Sequence, residues 1–446
     1  MLLFALIIST GFCFAQNVGI GTTTPDTSAI LDVKSSGKGM LIPRISTAAR
    51  NAISNPATGL LVFDTDQKTL YLYDGNDWRG FAAMNDDERP VNNYNYPTEF
   101  IDTSTLAGYS VSMWGQFLVI GAPYTFEKEG TVYIYINDTG NWQPIGALTS
   151  TAGVGALFGQ SVSLKGNYLI VGAPGAVNYS INEAVGAVYI YHLSGFTFVP
   201  LQPAIYGTVV GNGFGTTVAI NQAGTYAAVS EPNATVSGFP NAGQVDVYNN
   251  PGSTFVLQTT ISDAAPATNE YFGTALAMNP SGENIGVGAP NKTVGSYDGE
   301  GYAAQFNRNG NTWVQAYSYT PAGSEQLNMG KQVDITDAHF AWATGQTNTV
   351  DVVDLGWTGS TITPFTSAIK SIAFDPTSEA LYVFSGNTLY AGNTGAQIKI
   401  FSSTNGPIIS NQMLSIYNKY YVLGLPSGTD PANVNEGGFY FGVSPQ

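Results

Sequence analysis

Two short runs of this chain are apolar at every position, with no alternation: Phe-Leu-Val-Ile at residues 117–120 and Tyr-Leu-Ile-Val at 168–171. A half-exposed strand alternates apolar and polar side chains, so an unbroken run of this length predicts a strand buried on both faces. Each run passes directly into Gly-Ala-Pro, at 121–123 and 172–174. Glycine and alanine keep side chains small where backbones crowd, and proline stops the strand because it cannot donate to the ladder. A second strand type follows, led by glycine and rich in β-branched and aromatic residues: Gly130-Thr-Val-Tyr-Ile-Tyr135 and Gly186-Ala-Val-Tyr-Ile-Tyr191. Such side chains suit a pleated packing surface.

The order recurs. Aromatic-Gly pairs stand upstream at Phe158-Gly159, Phe214-Gly215 and Phe272-Gly273, and Gly108 heads the first copy. The third copy reads Tyr226-Ala-Ala-Val-Ser-Glu-Pro232 and then Gly243-Gln-Val-Asp-Val-Tyr248. The fourth reads Asn284-Ile-Gly-Val-Gly-Ala-Pro290 and then Gly301-Tyr-Ala-Ala-Gln-Phe306. Gly108, Gly159, Gly215 and Gly273 are spaced by 51, 56 and 58 residues. A fourth strand is expected around Trp142, Phe198, Phe255 and Trp313. A repeat of that length holding several strands and no helix predicts an all-β fold, a β-propeller, with one blade per repeat.

Three degenerate units follow. The fifth is Met329-Gly330 with strands near 340–343 and 350–353, and the sixth has strands at 369–374, 381–384 and 397–401. The seventh has strands at 413–416, 420–426 and 437–441. The chain ends five residues after the last of these, so the seventh unit lacks a fourth strand. The segment Thr98-Glu-Phe-Ile-Asp102 is a spare strand and is expected to complete that blade, closing the ring and removing its open edges. The expectation is therefore a seven-bladed propeller over residues 97–446, preceded by a small β-rich N-terminal module at 16–84 and a polar linker at 85–96.

In the module, Leu60-Leu-Val-Phe-Asp64 and Thr69-Leu-Tyr-Leu-Tyr73 flank a turn and read as a hairpin. Residues 46–53 are its only helical candidate. So small a unit has little core of its own, which favours docking or oligomerisation. Ahead of it, residues 1–15 form a short apolar stretch ending in small residues. They read as an export signal cut after Ala15, too short to span a membrane. Phe12, ahead of Cys13, is too bulky for lipid attachment at that cysteine.

Composition narrows the function. Of 446 residues, 52 are Gly, 26 Tyr and 23 Phe, while only 10% are charged, which suits many short strands and tight turns. Cys13 is the only cysteine, so a mature exported chain would hold no disulfide and would rely on packing and closure. Residues 1–89 carry 7 basic and 9 acidic side chains, and residues 90–446 carry 8 and 22. An acidic propeller repels nucleic acid, whose binding depends on Lys and Arg meeting phosphate.

Catalytic motifs are scarce. The two histidines, His192 and His339, sit at strand ends with no metal-ligand spacing, so neither zinc nor any other metal or cofactor is expected. No Gly-x-Ser-x-Gly elbow is present. Gly153-Val-Gly155 and Gly211-Asn-Gly-Phe-Gly215 precede strands rather than opening helices, so they read as turns and not as phosphate loops. Glu127/Glu129 and Asp298/Glu300 are neighbours in single loops, where a glycosidase needs two carboxyl groups across a cleft. They read as solvated loop charge.

The order aromatic-Gly, then Gly-Ala-Pro, resembles FG-GAP repeats of the integrin-α-type β-propeller, over about residues 97–446. In that family several blades carry a calcium loop of the Asp-x-Asp-x-Asp-Gly type between their first two strands. Here those connections are Met113-Trp-Gly-Gln116, Leu164-Lys-Gly-Asn167, Asn221-Gln-Ala-Gly-Thr225 and Asn279-Pro-Ser-Gly-Glu283. They hold too few carboxylates to surround calcium, so this resembles a metal-free subtype. The module, with Val-Gly-Ile-Gly-Thr at 18–22 and Leu-Asp-Val at 31–33, resembles an N-terminal segment of exported proteins of Bacteroidetes-type bacteria. That segment often accompanies tail-fibre-like parts that assemble as trimers, which implies a homo-oligomer.

The resemblance also points to the loops after the Gly-Ala-Pro strands as a ligand face: 124–129, 175–185, 233–242, 291–300 and 427–436. They vary while the strands repeat, and variable loops on a rigid scaffold commonly carry binding. Tyr124, Phe126, Asn178, Tyr179, Phe239 and Tyr297 are their candidate ligand-binding side chains. Lys165 and Asn167, in a first hairpin, are expected at the opposite face. The leading expectation is an exported, non-catalytic recognition or adhesion protein binding a protein or a glycan. The alternatives are a polysaccharide-acting enzyme using carboxylates or His339 at the central channel, and a structural surface component.

Overall fold

The computed structural model describes residues 17–66, 69–73, 75, 78–81, 107–138, 141–295, 298–320, 327–344, 349–355, 359–362, 365, 367–386, 388–391, 396–400, 414–418, 420–425 and 438–443. The leader, the 85–96 linker, the spare strand at 98–102, Tyr297 and the 427–436 loop lie outside the described residues. The chain forms two compact units, 1–89 and 90–446.

In the first unit Val18–Ile20 pairs in parallel with Leu31–Val33. Arg44–Ile45, Leu61–Asp64, Thr69–Tyr73 and Trp78–Phe81 form a second sheet, whose middle pair is the expected hairpin. Among the described residues of this unit the one helix is Thr47–Asn51, with Ser46 as N-cap accepting from the Ala49 amide. Its Arg50 lies 3.7 Å above the Tyr71 ring, and its Nε donates at 2.9 Å to Asp64 Oδ2, pinning helix to sheet.

The second unit is all-β. Seven antiparallel sheets of three or more strands follow one another among the described residues, pairing successive strands in chain order except that Ile205–Tyr206 pairs back onto Ala187–Ser194 in the second. A two-stranded ribbon, Val177–Asn178 with Glu183–Ala184, stands in a loop. The first is Ser110–Trp114, Phe117–Ala122, Thr131–Asp138 and Asn141–Thr149; the second is built on Ser161–Lys165, Tyr168–Ala173, Ala187–Ser194 and Thr197–Pro200. The remaining five begin with Val218–Ile220, Ala275–Met278, Gln332–Ile335, Ile369–Phe374 and Leu414–Tyr417. Each first strand packs against the next, and Leu414–Tyr417 packs against Ser110–Trp114. The first strands thus line a central channel, and the sheets are the blades of a β-propeller. Every residue of Phe117–Ala122 is buried, as unbroken apolarity requires.

Side chains of the first strands stitch blade to blade. Ser112 Oγ accepts from the Leu164 amide (2.9 Å), Ser163 Oγ from Ile220 (3.3 Å), Asp334 Oδ2 from Phe374 (2.7 Å) and Ser415 Oγ from Met113 (2.9 Å). These residues occupy one repeat position, so in these four blades a single short polar side chain satisfies an amide of a neighbouring blade; the third, fourth and sixth have Ala219, Ala277 and Ala373 there.

The sixth blade corrects the strand assignment. Its third strand is Thr388–Ala391, joined to Leu381–Ser385 by a tight turn, and Ala396–Ile400 is the fourth. The hairpin runs through Gly386 at φ 59°, so this blade has no long loop after its second strand. The seventh blade has three described strands.

Candidate functional site

Antiparallel pairing puts the connections of each blade at alternating ends. Loops after second strands therefore share one end of the propeller with the links between blades; the first-hairpin turns lie at the other. Backbone hydrogen bonds join the loops at the first end. Leu157 N donates to Lys128 O (2.8 Å), Val177 N to Ala152 O (3.2 Å), Asn233 N to Asn212 O (3.0 Å) and Asn269 N to Pro240 O (2.9 Å). Loops of the first three blades and the links between them form one connected surface.

In chain order, its loops and links carry a row of exposed apolar side chains. Phe126 is 63% exposed, Val154 59%, Tyr179 64%, Ile181 53%, Val210 54% and Phe239 42%. The Tyr179 hydroxyl lies over Gly153, where a Cβ would come within 2.3 Å of it. Phe126, Glu127 and Lys128 all adopt left-handed φ, at 48°, 56° and 70°. Residues with a Cβ rarely do so, and such strain persists where surroundings enforce it. Here Thr125 O accepts from the Gly130 amide and Thr125 Oγ1 bonds Ala122 O and Thr131 Oγ1, while Lys128 and Glu129 carbonyls are held by the 157–158 amides. The turn turns Phe126 outward.

The sequence-derived candidates divide. Phe126, Tyr179 and Phe239 belong to the exposed row. Tyr124 is half-buried, its ring 6.1 Å from that of Tyr109. Asn178 is half-buried too, its Oδ1 accepting from the Ser180 amide in a small turn. Val154, Ile181 and Val210 were not among the candidates; only their place in loops of this end would have found them. Glu300, expected in solvent, is buried at the root of its loop, next to Gly301, whose backbone bridges Met329.

The channel is lined by all seven first strands around about 130 Å³. Valine, leucine and isoleucine at one repeat position and Ser, Ala or Asp at the next make up most of its wall. Its charged lining residues are Lys165 and Asp334. Lys165 ends its strand at the first-hairpin end and is half-buried, its ammonium reaching across to donate to the Met278 carbonyl. Burial lowers the Lys165 pKa and raises that of Asp334, while the charge of each opposes the other's shift. One cation and one carboxylate do not make the two-carboxyl arrangement of a glycosidase. His339 lies elsewhere, stacked on Phe374 with its Nδ1 3.3 Å from Glu379 Oε2.

Two further buried polar clusters occupy the loop end. Glu231, standing where the other repeats have alanine (Ala122, Ala173, Ala289), neighbours Asp246 on the adjoining strand. Asn212 donates to Glu231 Oε2 and Thr260 to Asp246 Oδ1, both at 2.6 Å. Burial raises both carboxyl pKa values. The second cluster joins Lys292, Asp263 and Glu270.

A propeller whose loops gather at one end over a stitched, largely apolar barrel belongs to the class of repeat scaffolds that present surfaces. Residues 148–191 match the FG-GAP repeat family, and residues 19–93 match the phage tail like trimerisation region. Among curated proteins the chain is similar to integrin alpha-7 of Mus musculus, 32% identical over 117 residues (23% of this chain, 10% of that protein). It is also similar to integrin alpha-6 of Gallus gallus, 29% identical over 196 residues, or 42% of this chain and 17% of that protein. The chain thus spans less than a fifth of the length of these relatives. Together these matches support an FG-GAP, integrin-α-type family for the propeller and agree with a separate N-terminal module. Among the described residues no helix is long and apolar enough to cross a membrane.

Proposed function

We propose that this chain is an exported, non-catalytic recognition protein that binds a polypeptide through the loop end of its propeller. The observation that carries this reading is the row from Phe126 through Tyr179 to Phe239. Six large apolar side chains left exposed on hydrogen-bonded loops at one end of the propeller mark a surface suited to a partner. Aliphatic Val154, Ile181 and Val210 stand between the aromatics, and an apolar row of this kind suits the side chains of a protein better than sugar hydroxyls. Likeness to integrin α chains supports a binding role in general terms.

The N-terminal module is read as the oligomerising part. Val18, Ile20, Leu31 and Val33 share one face of an isolated two-stranded sheet and are 43–55% exposed. A sheet of two three-residue strands is not stable by itself in water, and an apolar face of that kind is covered by further copies of the module in a trimer. Seven blades closed by residues 98–102 complete the proposal.

A screen of the purified full chain against paired arrays of polypeptides and of glycans tests the ligand class. Binding confined to polypeptides agrees with the proposal; binding confined to glycans overturns it.

A further inference from the structure

Lys292 stands two residues after the Gly-Ala-Pro of the fourth blade. The corresponding residues of the first three are Thr125, Ala176 and Ala234, small and buried. Lysine here carries an ammonium group into a position built for a methyl or hydroxyl. It remains buried, at 8% exposure, with Asp263 at 6% and Glu270 at 0%. Its Nζ is in direct contact with Asp263 Oδ2, lies 3.1 Å from Glu270 Oε2, and donates to Ala265 O at 2.8 Å. The Ala265 amide holds Asp263 Oδ1 at 3.3 Å, and the Tyr302 ring lies 5.1 Å from Nζ. Glu270 Oε1 is buried and has no hydrogen-bond partner among the described residues.

As three fixed charges this cluster is expensive. Two carboxylates and one ammonium leave an uncompensated buried anion, and taking each ion out of water is unfavourable. Burial answers by neutralisation, pushing Glu270 up to about 7 and Lys292 down to about 8. A desolvated lysine amine is a nucleophile, and a protonated carboxyl beside it can carry its proton.

We propose that Lys292 and Asp263 condense into an intramolecular amide, with Glu270 as the catalytic acid and base, covalently tying the third blade to the fourth. One proton first passes from the Lys292 ammonium to the Asp263 carboxylate, giving a neutral amine facing a carboxylic acid. The nitrogen lone pair attacks Asp263 Cγ. Glu270 Oε2 takes a proton from the nitrogen, and the Glu270 carboxyl returns one to the departing hydroxyl of Asp263. The N–C bond forms, the C–O bond breaks, and one water leaves. Glu270 ends as it began, and nothing is oxidised or reduced. Contact held by the fold supplies the proximity that makes this step fast. Asp263 lies just beyond the outer strand Val256–Ile261 and Lys292 just beyond Asn284–Gly288, so the bond spans two blades.

Mass spectrometry of the denatured full chain decides it. The wild-type chain should be lighter by one water than its linear mass, and a protease digest should contain a branched peptide joining Asp263 to Lys292. Glu270→Gln removes the proton carrier and Lys292→Arg keeps the cation without the nucleophile, so both should show the linear mass. A folded wild-type chain of linear mass, with the two residues in separate peptides, overturns the proposal. So does loss of water from Lys292→Arg.

Discussion

Gly424 of the seventh blade lies against Gly108 of the first, so closely that a Cβ on Gly424 would come within 2.0 Å of the Gly108 carbonyl oxygen. Gly121 stands in the same relation to Gly159, Gly172 to Gly215 and Gly288 to Gly330. In these four pairs the glycine near the end of a second strand is therefore the seat of the glycine that heads the next blade, and the last blade seats the first in the same way. Gly172→Ala should cost about 3 kcal/mol, because a backbone carbonyl cannot step aside as a side chain would. Gly252→Ala, where a Cβ meets nothing within 4 Å, should leave the melting temperature nearly unchanged. Similar melts for the two variants would show that the glycines are not seats.

Glu231 and Asp246 set a pH dependence. Their folded pKa values lie above the ordinary 4.5 and 3.8, so their contribution to stability is fully present below those values. It is lost as pH rises through the folded values. Glu231→Gln keeps an amide for Asn212 and Asp246 but carries no charge. The variant should be more stable than wild type at neutral pH, with the difference vanishing in acid; thermal melts across pH check this. A variant less stable at neutral pH would assign Glu231 a needed negative charge.

Removal of residues 97–102 takes away the strand proposed to complete the seventh blade and should leave two open sheet edges, hence aggregation or loss of the cooperative melt. Removal of 16–84 should leave a soluble propeller. Light scattering and calorimetry on both truncations distinguish them, and equal behaviour contradicts closure by this strand.

Self-association should reside in the module. Ile20→Asp or Leu31→Asp places a charge on the exposed apolar face of the strand pair and should convert a trimer into monomers in sedimentation equilibrium. A wild-type monomer at micromolar concentration would count against this role.

What was legible in the sequence was what the backbone enforces. Glycines seated on carbonyl groups, the prolines that stop second strands, and the glycine turns at Gly115, Gly166, Gly224 and Gly282 all adopt or demand conformations few other residues supply. The Thr388–Ala391 strand escaped notice because four residues after a tight turn carry little pattern. Side-chain clusters escaped for another reason. Asp263 and Glu270 come from the link between the third and fourth blades and Lys292 from a loop of the fourth, and only their juxtaposition makes them chemical. Glu231 did leave a trace, as a charged residue where three other repeats have alanine. Exposure within a loop was illegible: nothing in the sequence separates half-buried Tyr124 from Phe126, which a left-handed turn points outward.

The most direct test of the recognition surface is the affinity of a polypeptide ligand, found on the arrays, for the full chain with Phe126, Tyr179 and Phe239 all replaced by alanine. Aromatic anchors at such centres commonly carry about 2 kcal/mol or more each, so binding should fall by at least about a hundredfold. The melting temperature should barely move, since the three rings are largely exposed. Phe196→Ala, equally exposed but at the opposite end of the second blade, should bind as wild type does. Unchanged affinity in the triple variant, with loss in Phe196→Ala, would place the recognition surface at the wrong end and contradict the account.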